Sequence, residues 1–120
     1  EDVQKARTIT KDIVAIGKPW VYDDKRVRFV INMEAGKRSD FTHHRNSGLN
    51  QVFIKKCIRH GKTLLLNASL LYGDHETILG RIIQNNRFYK KYKPNVLVVS
   101  GATTPMEMRN PKDLQALLDL

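Results

Sequence analysis

Residues 95–100, Asn-Val-Leu-Val-Val-Ser, carry Val and Leu almost without interruption, which is the signature of a strand covered on both faces. Three weaker strand patterns precede it, separated by stretches with helical spacing. Such alternation implies parallel strands joined by right-handed crossovers. The first strand pattern is residues 12–16, Asp-Ile-Val-Ala-Ile, closed by Gly17 and Pro19. The second is residues 39–43, and the third is residues 62–67, centred on Thr-Leu-Leu-Leu.

Helices are expected between them. Residues 1–8 are polar and modestly helical. Asp23 and Asp24 are placed to cap a helix running from Lys25 to about Ala35, with Val27, Val30 and Ile31 on one face and Gly36 as its stop. Residues 49–60 repeat Leu49, Val52, Phe53 and Cys57 at three and four residues, and Gly61 closes the pattern. A loop to Asp74 leads into a long helix ending near Lys91, with Ile78, Leu79, Ile82, Ile83 and Tyr89 on its buried side. Asn110 as N-cap and Pro111 at the first helical position open the last helix.

The expected fold is α/β: parallel βα repeats, either a doubly wound sheet or a TIM-barrel-like (β/α) barrel. A closed eight-stranded barrel needs roughly 200 residues or more. The 120 residues here then predict one partial β/α-barrel domain over 1–120, with the N-terminal strands and the C-terminal part of the barrel outside this chain. The start at Glu1, without a methionine, fits a fragment.

Charge narrows the partners. Lys and Arg number 21 against 12 Asp and Glu, a formal charge of +9, which is more than solubility needs and points to nucleic acid or an acidic partner. No apolar run approaches the roughly 18 residues that span a bilayer, so no membrane partner is expected. The single cysteine, Cys57, excludes an internal disulfide and favours a reducing compartment.

In both candidate folds the loops after the strands share one functional edge. These loops, residues 17–22, 43–48, 67–74 and 101–110, hold Lys18, Trp20, His43, His44, Arg45, Asn46, Arg109 and Asn110. Arg45 stands before Asn46-Ser47-Gly48 at a helix start, where its guanidinium and the first free amides can share a phosphate. The plainer alternative makes Asn46 or Ser47 a simple cap and Arg45 solvated. Arg109 before Asn110-Pro111 repeats the arrangement. Lys55, Lys56, Arg59, His60 and Lys62 form a second basic group, and Arg87, Lys90, Lys91 and Lys93, interleaved with Tyr89 and Tyr92, a third. Each group alone reads as a solvated face; with the edge they suggest several phosphate contacts.

Catalytic patterns are weak. His43 and His44 are adjacent, so on a strand they point to opposite faces and do not easily share an ion. There is no His-Glu-x-x-His, no Gly-x-Ser-x-Gly and no phosphate-cradling glycine loop, and Cys57 lies in an apolar helical pattern.

Three segments taken together resemble the TIM-barrel-like protein subunit of ribonuclease P from archaea and eukaryotic nuclei. They are Arg45-Asn46-Ser47-Gly48-Leu49-Asn50-Gln51-Val52, Val98-Val99-Ser100-Gly101-Ala102 and Met108-Arg109-Asn110-Pro111-Lys112-Asp113-Leu114. Upstream, the strand at residues 12–16 and Val30-Ile31-Asn32 continue the likeness more weakly. Asn46 stands where the family has an acid, Gln51 where histidine is frequent, and Asn110 where it has Ser.

The resemblance implies a non-catalytic subunit. Ribonuclease P RNA, with Mg²⁺, would remove the 5′ leader of precursor tRNA, and a small ferredoxin-like subunit and other ribonuclease P proteins would be partners. RNA phosphates would be met by Lys18, His44, Arg45, Asn46, Ser47, Lys55, Lys56, Arg59, Arg109 and Asn110, with no metal or cofactor on the protein itself. The compartment would be archaeal cytoplasm or the eukaryotic nucleus. Two other readings compete: a metal-dependent β/α-barrel phosphoesterase using Asp40, His43, Asp74 and His75, and a scaffold that never touches RNA.

Overall fold

A computed structural model describes residues 13–36, 40, 46–72 and 75–120. Four strands, β1 (Val14–Ile16), β2 (Phe29–Ile31), β3 (Thr63–Asn67) and β4 (Asn95–Val99), form one sheet in the order β1-β2-β3-β4, and every pairing is parallel. This order has no reversal. It is the order along part of a β/α barrel, whereas a doubly wound sheet reverses at its switch point.

Helix α1 (Gln51–Arg59) connects β2 to β3, α2 (His75–Tyr92) connects β3 to β4, and the short α3 (Pro111–Ala116) follows β4. Single 3-10 turns at Pro19–Tyr22 and Ala68–Tyr72 leave the ends of β1 and β3. Helix α1 ends as its glycine requires: Gly61 has φ 65°, its amide donates to Ile58, and the Lys62 amide donates to Cys57.

The sheet has two unlike faces. Ala15, Val30, Leu64 and Val96 stand in one register row and pack among Ile54, Cys57 and Tyr89 from the helices. A second cluster continues this layer with Leu66, Ile78 and Ile82. The next row, Ile16, Ile31, Leu65 and Leu97, points the other way, and at its two ends Ile16 is 58% and Leu97 55% exposed.

Two expectations need correction. The helix expected from Lys25 to Ala35 is strand β2 instead: Phe29, Val30 and Ile31 are stiff or aromatic side chains that suit a strand between two others, and Asp24 turns the chain locally by accepting from the Arg26 amide at 2.9 Å. The two-sided cover expected for β4 is not seen among the described residues: β4 is last in the sheet order, Val96 and Val98 pack into the helix layer, and Leu97 on the other face is 55% exposed. The expected helix at residues 1–8 lies outside the described residues, as does the expected strand at 39–43 apart from Asp40, which is in no strand.

Candidate nucleic-acid interface

Strand ends position the first part of the edge. Asn32 follows β2 in a left-handed conformation, φ 61°, and its side-chain oxygen accepts from Nδ2 of Asn67, the last residue of β3, at 2.8 Å. The Asn67 oxygen accepts in turn from the Ser69 amide at 3.1 Å and hydroxyl at 2.9 Å. Gly101, φ 61°, follows β4 so closely that a Cβ there would collide with the Asn67 side chain. A short polar chain thus joins the tips of β2 and β3 to the turn after β3, and the backbone that leaves β4 packs closely against it. Sequence reasoning missed Asn67 and Ser69; their only signal is that asparagine ends a run of leucines. Lys18 and Trp20 lie at the end of β1 and are exposed.

Between β2 and α1 the backbone is held from beneath by α2. Arg81 is 1% exposed, and its guanidinium donates to the carbonyls of Glu34 at 2.8 Å and Gly36 at 3.1 Å and to the Asp40 carboxylate at 3.1 Å. The same Asp40 oxygen accepts from the Asn46 amide at 2.8 Å. Asn85 donates to Glu34 Oε1 at 3.0 Å and to the Ser47 carbonyl at 3.3 Å, while Gln84 donates to the Ser47 hydroxyl at 3.0 Å. Ser47 is therefore an interior residue. His43, His44 and Arg45, the centre of the expected phosphate site, lie outside the described residues, between the anchored Asp40 and Asn46.

The helix start is displaced from its expected position. Asn50, and not Asn46 or Ser47, caps α1, its side-chain oxygen accepting from the Phe53 amide at 2.9 Å. Gly48, φ 82°, turns the chain between the two, and the Tyr22 hydroxyl donates to its carbonyl at 3.3 Å. Within α1 the buried residues are Ile54 and Cys57, with Phe53 stacked on Tyr22 at 4.4 Å between ring centres; Val52 faces solvent.

At the end of β4, Arg109 donates to the carbonyls of Met106 and Met108, each at 3.2 Å, and its guanidinium lies 5.6 Å from the centre of the Tyr72 ring. The Tyr72 hydroxyl donates to the Glu107 carbonyl at 3.2 Å. The Glu107 carboxylate accepts from the hydroxyls and amides of Thr103 and Thr104, and the Thr103 hydroxyl bond above all holds its pKa below the ordinary carboxylate value. Asn110 caps α3 as expected, accepting from the Asp113 amide at 3.0 Å.

The remaining expected cations lie elsewhere. Helix α1 leaves the edge and runs back along the sheet at about 1.5 Å per residue, so Lys55, Lys56 and Arg59 sit toward the end where strands begin. Lys56 pairs there with Asp23 at 3.0 Å. Helix α2 delivers Lys90, Lys91 and then Lys93, φ 53°, to the same end, beside the start of β4. Lys91 stands 5.3 Å from the Tyr92 ring centre. Lys62 is buried, donating to the carbonyls of Asp24 and Val27, and desolvation pushes its amine pKa down. The structure therefore brings Lys18, Asn46, Arg109 and Asn110 to the edge after the strands, and groups the helical lysines with Arg59 at the opposite end.

Among the described residues no three His, Cys, Asp or Glu side chains gather to hold a metal ion; His43 and Asp74 are outside that set. Cys57 is fully buried, and desolvation pushes its thiol up to about 11, which leaves little thiolate at neutral pH. No described helix is long and apolar enough to cross a membrane.

No family model matches the sequence, and no curated protein matches it. Among solved structures, a chain in the cryo-electron microscopy structure of an archaeal ribonuclease P with mature tRNA is similar to this one, with a TM-score of 0.73 and 23% identity. The match covers 98% of this chain and 52% of that one, so this chain spans about half the length of the solved chain. At this identity the likeness is one of fold.

Proposed function

We propose that this chain is part of a ribonuclease P protein subunit, binding the RNA that removes the 5′ leader of precursor tRNA. One observation carries the reading: nearly the whole chain, 98% of it, follows the fold of a chain from an archaeal ribonuclease P. The formal charge of +9 supports it.

The chain's own contribution is electrostatic and structural. Lys18 and Arg109 at one end, and Lys55, Arg59, Lys90, Lys91 and Lys93 at the other, neutralise phosphates so that a folded RNA can close around substrate and its Mg²⁺. A small ferredoxin-like subunit and other ribonuclease P proteins are its protein partners in this reading. The working compartment is that of tRNA maturation, archaeal cytoplasm or the nucleus.

Reconstitution tests it. The chain is added to ribonuclease P RNA, with and without partner subunits, and 5′-leader removal from precursor tRNA is measured. A rise in cleavage that is lost at raised salt is the expected result; cleavage indifferent to the chain at every salt concentration removes the proposal.

A further inference from the structure

Beneath Arg109 lies a cleft of about 360 Å³ between the turn after β3 and helix α3, lined by Ala68, Leu71, Tyr72, Leu114 and Leu117 with Arg109 and Asp113 among them. The geometry points to this cleft as the seat of a single unpaired RNA base, stacked against the Tyr72–Arg109 pair. The inference rests on the RNA-binding reading and adds to it a contact with a base in place of phosphate.

Three features select a flat heteroaromatic ring. Tyr72 is 50% exposed although its hydroxyl is fixed to the Glu107 carbonyl, so its ring is held still and open to solvent. The guanidinium beside it is pinned by two backbone carbonyls, so the pair is already ordered before any ligand arrives. A base gains from stacking on such aromatic and guanidinium planes whatever its sequence context. Thirdly, Asp113 places a carboxylate among the lining residues. An anion repels phosphate, and it accepts the exocyclic amine or ring N–H of a base.

The apolar floor of Leu71, Leu114 and Leu117 suits the rest of the ring. Met106 and Met108, 86% and 64% exposed, flank the Arg109 loop and offer further polarisable surface to neighbouring bases. An apolar side chain of a protein partner is the other candidate occupant, but it has no use for a carboxylate at its rim.

Binding of this chain to a labelled short oligocytidylate, and separately to inorganic polyphosphate, separates the alternatives. Tyr72→Ala should weaken oligocytidylate binding by about tenfold or more, with polyphosphate affinity unchanged. Tyr72→Leu, which keeps apolar volume and loses the aromatic face, should lose as much, whereas Tyr72→Trp should retain wild-type affinity. Circular dichroism melts of each variant establish that the fold is kept. Wild-type RNA affinity in Tyr72→Ala or Tyr72→Leu overturns the base site while steep salt dependence would leave phosphate binding standing; equal losses toward RNA and polyphosphate overturn it too. A wild-type chain that binds neither polyanion removes the RNA reading along with it.

Discussion

Arg81 and Asp40, 41 residues apart in sequence, meet through a 3.1 Å contact between guanidinium and carboxylate, with the Arg81 side chain almost wholly buried. Arg81 belongs to the middle of α2, and Asp40 to the long connection between β2 and α1. Their contact ties α2 to the connection that leads into α1.

Replacing Arg81 with Met removes the donor for two backbone carbonyls and one carboxylate while keeping most of the apolar stem. Breaking a buried pair in this way costs about 3–5 kcal/mol, and the urea midpoint should fall accordingly. Arg81→Lys should recover little, because a single ammonium cannot span three acceptors set around a planar fork. A midpoint unchanged by Arg81→Met would show that the contact is dispensable.

Gly101→Ala tests the close approach of β4's end to β3's. The left-handed backbone alone costs a non-glycine residue about 1–2 kcal/mol, and the new methyl would also displace the Asn67 side chain. Chemical denaturation should show a larger loss than the backbone cost. In an Asn67→Ala background the excess should shrink to what the Ser69 hydroxyl, 2.7 Å from the new methyl, still imposes, and a double-mutant cycle reads the difference directly.

Asp24 and Arg26 predict a pH effect. The Arg26 side chain, bonded at 2.8 and 3.0 Å, lowers the Asp24 pKa from 3.8 to about 2. A depressed carboxyl stabilises the fold above its unfolded value, so the increment is complete above 3.8 and is lost as pH falls toward about 2. In Arg26→Ala the pKa should rise toward 3.8, because the Arg26 side-chain bond is the largest cause of its depression and the remaining influences, desolvation against the backbone amide and Lys62, oppose one another. Carboxyl carbon shifts followed by NMR measure it; an unmoved titration would refute the assignment.

The two basic ends can be told apart by salt. For single-stranded RNA, log affinity falls by roughly 0.7 per log salt for each phosphate neutralised. Replacing Lys90, Lys91 and Lys93 together with Ala should flatten that slope by about 2, three contacts at roughly 0.7 each, if α2 lies against RNA. Lys18→Ala, made separately, reports on the other end, and a slope unchanged by both sets would place the RNA elsewhere.

How much of this could be read from sequence depended on how local each cause was. The Val-Leu run of β4, the leucines of β3, the Gly61 stop and the Asn110 cap act within a few residues of themselves, and each was found where expected. Strand β2 misled because Val27, Val30 and Ile31 satisfy a three-and-four spacing as well as a strand, and three paired residues are too few for alternation to show. The α1 cap moved from Asn46 or Ser47 to Asn50 because Gly48 inserts a turn that periodicity does not register. Nothing in the sequence singles out Arg81 and Asn85; contacts about fifty residues away in sequence, such as Asn85 to Glu34, make them interior. The division of the cations between two ends follows from helix direction, which composition does not carry.

The Asp40 oxygen that receives both Arg81 and the Asn46 amide has a practical corollary. It fastens both flanks of residues 41–45 at one atom, using a backbone donor on one flank and a helix donor beneath. One carboxylate thus sets where the chain re-enters the core at Asn46, so a change at Asp40 is felt both in the middle of α2 and on the approach to α1.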